Sequence, residues 1–159
     1  MIFVTVGTMF PFDRLVRAID EIAPFFAGEE FASQIGDSEY RPRNMSHWPM
    51  LSMQEFAGNV SRSKLIVAHA GMGSVITALG AQKPIVLLPR RQELGEHTTD
   101  HQVATANWLM RKKGVHVAMH EDELRRSVET ALSNGETIEA LSPHAQPELI
   151  ERLRAFISQ

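Results

Sequence analysis

The hydrophobic residues follow two spacings along the chain: short continuous apolar runs, and stripes that recur every three to four residues. Continuous runs predict strands that are buried on both faces. Such runs lie at Ile2–Val6, Phe31–Ile35, Lys64–Ala68, Pro84–Leu88 and Val115–Ala118. Stripes predict amphipathic helices, which are expected at Pro11–Phe26, Met53–Ser63, Ser74–Ala81, His101–Lys112, Glu121–Ser133 and Glu148–Ile157. The polar side of the first helix carries Asp13, Arg17, Asp20 and Glu21.

Strands and helices therefore alternate, which predicts an α/β fold with a parallel sheet covered by helices on both faces. A chain of 159 residues suits one domain with its own hydrophobic core. We expect a single Rossmann-like domain over residues 1–159. Residues 37–50 show neither spacing and carry Pro42 and Pro49, so this stretch is expected to be irregular. At residues 135–147 the chain is expected to leave the domain and return as the final helix.

Charge and composition narrow the classes of partner. The formal net charge of −3 gives no reason to expect nucleic acid or an anionic membrane surface as the main partner. The chain has no cysteine, which excludes disulfides and cysteine-based zinc sites. No apolar run approaches the ~20 residues that a membrane helix needs. Residues 1–8 lack the basic start and long apolar core of a signal peptide, so a cytoplasmic location is expected.

Polar, glycine-containing segments follow three of the predicted strands. Gly7 and Thr8 follow the first strand, residues 69–74 follow the strand that ends at Ala68, and residues 90–102 follow the strand that ends at Leu88. The carboxyl ends of parallel strands meet at one edge of a sheet, where ligands of such folds bind. The three segments are therefore expected to converge on one site.

The segment Gly71-Met72-Gly73-Ser74 joins a predicted strand to a predicted helix. Glycines let the backbone approach a ligand, and the free N–H groups at a helix start attract an anion such as a diphosphate. A dinucleotide-binding fingerprint would need a third glycine where Ile76 stands, and the lysine of a P-loop is absent. The alternative interpretation is an ordinary strand–helix turn with Ser74 as the N-cap.

The segment after Pro89 offers three interpretations. Its polar side chains could hydrogen-bond sugar hydroxyls, or it could be a solvated loop. A metal site on His97 and His101 is the third, although zinc would need a further ligand and a helix across both histidines. Arg90 directly follows a buried strand, where a guanidinium suits phosphate. His69, at another strand end, is either a structural histidine or a weak catalytic candidate.

Five stretches together resemble the C-terminal, donor-binding domain of family 28 glycosyltransferases, which have the GT-B fold. They read "MIFVTVGT", "FDRLVRAID", "QIG", "LIVAHAGMGSVITALGAQKPIVLLPR" and "GEHTTDHQVATANWL". The chain is similar to the small, stand-alone PssE-like subunits of bacterial exopolysaccharide synthesis. It is also similar to the catalytic subunit of the two-part enzyme that adds the second N-acetylglucosamine to a dolichol-diphosphate-linked sugar. The resemblance covers nearly the whole chain.

The resemblance implies a donor-binding cleft. The glycine turn would lie against the nucleotide diphosphate and ribose, and the segment His101-Gln102 would lie by the donor sugar. Thr77 stands where the peptidoglycan-synthesising member has a glutamate that binds the ribose hydroxyls. The implied donor-binding residues are Gly7, Thr8, His69, Gly71, Met72, Gly73, Ser74, Thr77, Arg90, Glu96, His97, Asp100, His101 and Gln102.

The resemblance also implies a function. The chain would be the donor-binding catalytic subunit of a two-subunit, inverting glycosyltransferase. It would transfer a sugar from a UDP-sugar to a lipid-diphosphate-linked saccharide, in exopolysaccharide or glycan synthesis. No metal or cofactor is expected beyond the UDP-sugar donor.

A membrane-associated partner would bind the acceptor, supply the catalytic base and bring the chain to the inner membrane face. A helix over residues 147–158 would dock on that partner or pack on its own sheet. The alternatives are a non-catalytic nucleotide-sugar-binding regulatory partner, a self-sufficient homodimeric transferase, and a metal-dependent hydrolase built on His97 and His101.

Overall fold

A computed structural model describes residues 1–134 and residue 138. The strands are β1 (Ile2–Thr5), β2 (Phe31–Gln34), β3 (Ser46–Trp48), β4 (Leu65–His69), β5 (Ile85–Leu88) and β6 (Val115–Val117). The helices are α1 (Asp13–Ile22), α2 (Met53–Arg62), α3 (Met72–Gly80), α4 (His101–Leu109) and α5 (Leu124–Ser133). Short 3-10 helices lie at Ala23–Phe25, Gln92–Leu94 and Glu121–Glu123. The predicted α/β fold is confirmed.

All six strands run parallel in one sheet, in the order β3-β2-β1-β4-β5-β6. The strand order changes direction between β1 and β4, which are neighbours in the sheet. Thr5, the last residue of β1, pairs with Gln34 on one side and with Ala68 on the other. The segments that follow these strands therefore open side by side, at the point where such sheets leave a crevice for ligands.

Both faces of the sheet are buried because successive strand residues point to opposite sides. Ile2 and Val4 of β1 belong to one core, which α1 and α5 cover with Leu15, Ile19, Leu124 and Val128. Phe3 belongs to the other core, which α2, α3 and α4 cover with Val60, Val75, Leu79, Ala106 and Leu109. This two-sided burial explains why the strands are continuous apolar runs.

The expectation that residues 37–50 would be wholly irregular is wrong, because β3 lies within them. β3 has only three residues, two of them exposed, so it leaves no apolar run in the sequence. The preceding loop is held by Asp20, which is buried although it lies on the polar side of α1. The carboxylate of Asp20 accepts hydrogen bonds from the backbone N–H groups of Arg43 and Asn44 and from the hydroxyl of Tyr40.

The predicted final helix over residues 147–158 lies outside the described residues. Ile138 is described: its side chain is buried in the core beneath α3 and α4, and its carbonyl accepts a hydrogen bond from the Gln82 amide. Within the part of the chain that the structure describes, no helix is long and apolar enough to cross a membrane.

Candidate functional site

A cavity of about 1350 Å³ opens at the carboxyl ends of the central strands and continues between α2 and α3. All three polar segments predicted to converge contribute to its wall. The predicted site residues that line it are Gly7, Thr8, His69, Gly71, Gly73, Ser74, Thr77, Arg90, His97, His101 and Gln102. Among the described residues of this wall there is no aspartate or glutamate. The wall therefore presents neutral and basic groups, which favours an anionic ligand.

The glycine turn brings a helix start to the cavity. α3 begins at Met72 with Gly71 as its N-cap, so the interpretation that placed Ser74 at the N-cap is wrong. Ser74 lies one position further into the helix than Gly73, and its N–H already donates to the carbonyl of Gly71 at 3.1 Å. The N–H groups of Met72 and Gly73 precede the first helical hydrogen bonds and have no partner within α3. They can bind an anion, which the helix dipole also favours.

The imidazole of His69 is wedged between the two glycine-containing loops. A Cβ atom at Gly7 would lie 2.7 Å from Cε1 of His69, and one at Gly71 would lie 2.8 Å from its Cδ2 and overlap Nε2. Gly7 also has a φ of +80°, which side chains rarely adopt. Glycine at both positions therefore makes room for the ring, which in turn sets the spacing between the loops.

Arg90 and Gln102 are buried residues at the wall of the cavity. Arg90 is only 2% exposed, and its guanidinium donates to the carbonyls of Val6 and Phe10 at 2.8 and 2.7 Å and to that of Pro11. Gln102 is also buried, and its Oε1 accepts from the backbone N–H of Arg90 at 3.2 Å. Carbonyls therefore occupy three of the five N–H donors of Arg90, so most of its guanidinium is committed to the backbone.

Three predicted site residues do not line the cavity: Met72, Glu96 and Asp100. Met72 is the first residue of α3, and the cavity wall continues through its neighbours on either side. Glu96 accepts two hydrogen bonds from Arg14, at 2.7 and 2.8 Å. Asp100 accepts one from the backbone N–H of Gln92 at 2.9 Å. Both carboxylates hold the loop in shape and lie away from the cavity.

His97 and His101 do line the cavity, with ring centroids 4.3 Å apart and nearly perpendicular planes. Phe10 packs edge-to-face on His97, with centroids 5.4 Å apart. Nδ1 of His101 is hydrogen-bonded to the Thr99 hydroxyl at 2.7 Å. Within residues 1–134 and at residue 138, no three histidine or carboxylate side chains are grouped so that they could hold a metal ion.

The sequence of the chain also matches a known family of domains. The profile described as glycosyltransferase family 28 C-terminal domain matches residues 1–153. The chain belongs to this family.

Two curated relatives illustrate the match. One is a UDP-N-acetylglucosamine–N-acetylmuramyl-(pentapeptide) pyrophosphoryl-undecaprenol N-acetylglucosamine transferase of Phocaeicola vulgatus. It is 29% identical over 112 residues, which are 68% of this chain and 30% of that protein. The other is the UDP-N-acetylglucosamine transferase subunit ALG13 of Cryptococcus neoformans var. neoformans, 33% identical over 101 residues, or 62% of this chain and 48% of that protein. The matches thus span about a third to a half of these relatives.

Solved structures share the fold of the family 28 domain. The calicheamicin glycosyltransferase CalG4 has a TM-score of 0.62 at 16% identity, over 99% of this chain and 43% of that one. MurG of Acinetobacter baumannii has a TM-score of 0.61 at 18% identity, over 99% and 49%. ALG13 in solution has a TM-score of 0.57 at 18% identity, over 96% and 93%. The C-terminal GT-B fold is confirmed.

The structure adds residues to this family 28 site that sequence patterns did not single out. Gln34, at the end of β2, is buried in the cavity wall, where its amide donates to the Gly7 carbonyl at 3.4 Å. Its Oε1 accepts from the backbone N–H of Leu51 at 3.1 Å. The sequence signal that could have identified Gln34 is its polar side chain at the end of an otherwise mostly apolar strand. An apolar wall on the α2 side is made by Met50, Leu51, Met53, Phe56, Ala57 and Val60.

His69 of this family 28 domain is neutral at physiological pH. Burial, together with the nearby charge of Arg90, lowers the pKa of His69 to about 4, although the backbone of Thr5 opposes the shift. Such a weakly basic imidazole can hydrogen-bond a ligand, but it is a poor general base near pH 7.

We predict that His69 makes the stability of the domain depend on pH. Its pKa is lower in the folded chain than its ordinary value of 6.5. Between about pH 6.5 and pH 4 the unfolded chain therefore binds the extra proton, and the free energy of unfolding falls as the pH falls. Urea titrations should show this fall to be shallower in His69→Gln than in the wild type, by about 1 kcal/mol per pH unit. Equal slopes would contradict the predicted burial of a neutral ring.

Proposed function

We propose that this domain binds the UDP-sugar donor of a glycosyltransferase. One observation supports this proposal above all: the described wall of the cavity has no carboxylate, and the N-terminus of α3 lies in it beside a second glycine-containing loop. A diphosphate fits such a wall, and the names of both curated relatives specify UDP-N-acetylglucosamine. The domain is then the donor half of an inverting transferase.

In this proposal the diphosphate lies at the N–H groups of Met72 and Gly73 and the hydroxyl of Ser74. As the bond between the sugar and the diphosphate breaks, negative charge builds on the leaving group. Fixed N–H donors and the helix dipole stabilise that charge without reorganising. These groups need no metal ion to offset the charge.

The remaining walls of the cavity are proposed to contact the two ends of the donor, the base and the sugar. The apolar side of α2, with Met50, Leu51 and Phe56, suits the planar base. Thr77, an exposed residue of α3, also lines the cavity and is proposed to face the ribose. The opposite end offers hydrogen-bonding side chains to a sugar from His97 and His101. Selectivity among donor sugars is therefore proposed to depend on contacts with His97 and His101.

The base that deprotonates the acceptor is proposed to come from a partner. His69 has a pKa of about 4 and is wedged between glycines, so it does not fit that role near pH 7. One relative is named as a transferase subunit, which supports a two-part arrangement. The proposed partner is a membrane-associated subunit that binds a lipid-diphosphate-linked acceptor for exopolysaccharide or glycan synthesis. Residues 147–158 are the proposed docking segment, on the cytoplasmic side of the membrane.

Calorimetric titration of the purified chain tests donor binding. The ligands are UDP, UDP-glucose, UDP-glucuronate and UDP-N-acetylglucosamine, each measured with and without the partner subunit. We expect saturable binding of UDP, and tighter binding of one UDP-sugar than of UDP alone. Absence of binding to the chain and to the complex would refute the proposal. Binding without sugar transfer by any partner complex would favour the regulatory alternative, and transfer by the chain alone would favour the homodimer.

A further inference from the structure

Arg90 is the largest of the fully buried side chains in the described structure. It lies just after β5, and its guanidinium crosses under the cavity to the loop between β1 and α1. There it donates to the carbonyls of Val6, Phe10 and Pro11, and its Cζ lies 4.6 Å from the centre of the Phe12 ring. One side chain thus holds both ends of a six-residue stretch, residues 6–11.

Carbonyl groups, and not a carboxylate, satisfy this buried cation. Among the described residues, Glu96 interacts with Arg90 electrostatically but does not hydrogen-bond to it. The carboxylate oxygens of Glu96 bind Arg14 and the backbone N–H of Arg91 instead. Burying a cation is costly unless its donors are well satisfied. An apolar side chain could fill the same volume at lower cost, so a guanidinium at this buried position indicates a use for its particular arrangement of donors.

The loop that Arg90 holds has few other anchors. Residues 8–11 are exposed, and two hydrogen bonds of Gly7 are long: 3.3 Å from its N–H to the Thr5 hydroxyl and 3.4 Å from the Gln34 amide to its carbonyl. Yet this loop supplies Gly7, Thr8 and the ring of Phe10 to the cavity wall. Its conformation therefore depends on Arg90 more than on its own contacts.

We propose that Arg90 is a positioning residue for the nucleotide site, which acts without touching the ligand by holding residues 7–11 beside the glycine turn of α3. The inference rests on the proposed function, since it assumes that a diphosphate lies between these two loops. It differs from the phosphate-binding role expected from the sequence, because the guanidinium serves the loop. Lysine keeps the charge but cannot donate to three separated carbonyls in this geometry.

Arg90→Lys tests the proposal, with Arg91→Lys as the matched control. Arg91 is adjacent in sequence, but its side chain binds Glu93 and the Met119 carbonyl away from the cavity. We expect Arg90→Lys to stay folded and to raise the Kd for UDP by about tenfold, the effect of losing charge-assisted hydrogen bonds that hold the loop. Uridine, which has no diphosphate, should change by less than about twofold. Arg91→Lys should change neither.

Hydrogen exchange provides a readout that does not depend on ligand. In Arg90→Lys the amides of residues 7–12 should exchange faster while those of the strands are unchanged. Equal weakening of UDP and uridine, unchanged exchange in the loop, or unfolding of Arg90→Lys while Arg91→Lys folds would each overturn the proposal. If the wild type, alone and with the partner, binds no UDP while loop exchange responds as expected, the proposed function fails and the structural link between Arg90 and the loop stands.

Discussion

Replacing Gly73 by aspartate should weaken UDP binding by about a hundredfold or more and leave the domain folded. A Cβ atom at Gly73 meets nothing within 4 Å, so the new side chain enters open space at the cavity. A carboxylate there occupies the start of α3, where the helix dipole stabilises it, and repels a diphosphate from the same N–H groups. Calorimetry gives the affinity, and circular dichroism with a thermal melt gives the fold.

Two control variants separate charge from shape. Gly73→Ala adds only a methyl group to a helix, so it should fold at least as stably as the wild type and lose less than about tenfold in UDP affinity. Gly58→Asp makes the same charge change in α2, at a position with nothing within 4 Å and outside the cavity wall. It should bind UDP normally. Retained UDP binding in Gly73→Asp would place the diphosphate elsewhere.

The strands and helices are predictable where one physical rule dominates. Leu65–His69 reads as a strand because both of its faces are buried, and α1 reads as a helix because one of its faces is. β3 fails this rule since it is a short edge strand with exposed residues, held by pairing to β2 and by the loop that Asp20 organises. Because backbone pairing and a buried carboxylate stabilise β3, its sequence shows no hydrophobic pattern that would predict a strand.

The position of the site is predictable from the sequence, but the side chains that face the cavity are not. Parallel strands bring their carboxyl ends together, so Gly7, His69 and the segment after β5 had to meet. Spacing along a loop does not reveal which side chains face inward. Arg90 is buried beneath the cavity, and Glu96 is drawn away from it by Arg14. Such pairings join residues far apart in sequence, and only the folded chain shows them.

Gly71→Ala should destabilise the domain by roughly 2 kcal/mol, the usual cost of forcing a group into a packed site. The backbone of Gly71, with φ −88° and ψ 135°, suits alanine, so the cost comes from overlap with the His69 ring alone. Gly7→Ala meets the same ring and also requires a positive φ. Both variants are compared with the wild type by urea unfolding.

A double-mutant cycle with His69→Ala then separates the two causes. With the ring removed, Gly71→Ala should cost close to nothing, because its overlap partner is gone. Gly7→Ala should still cost about 1 kcal/mol, because the left-handed backbone remains unfavourable for alanine. If Gly71→Ala were equally destabilising with and without the ring, His69 would not be the group that separates the loops. If the two glycines differ as expected, the imidazole itself sets the spacing between the two glycine-containing loops.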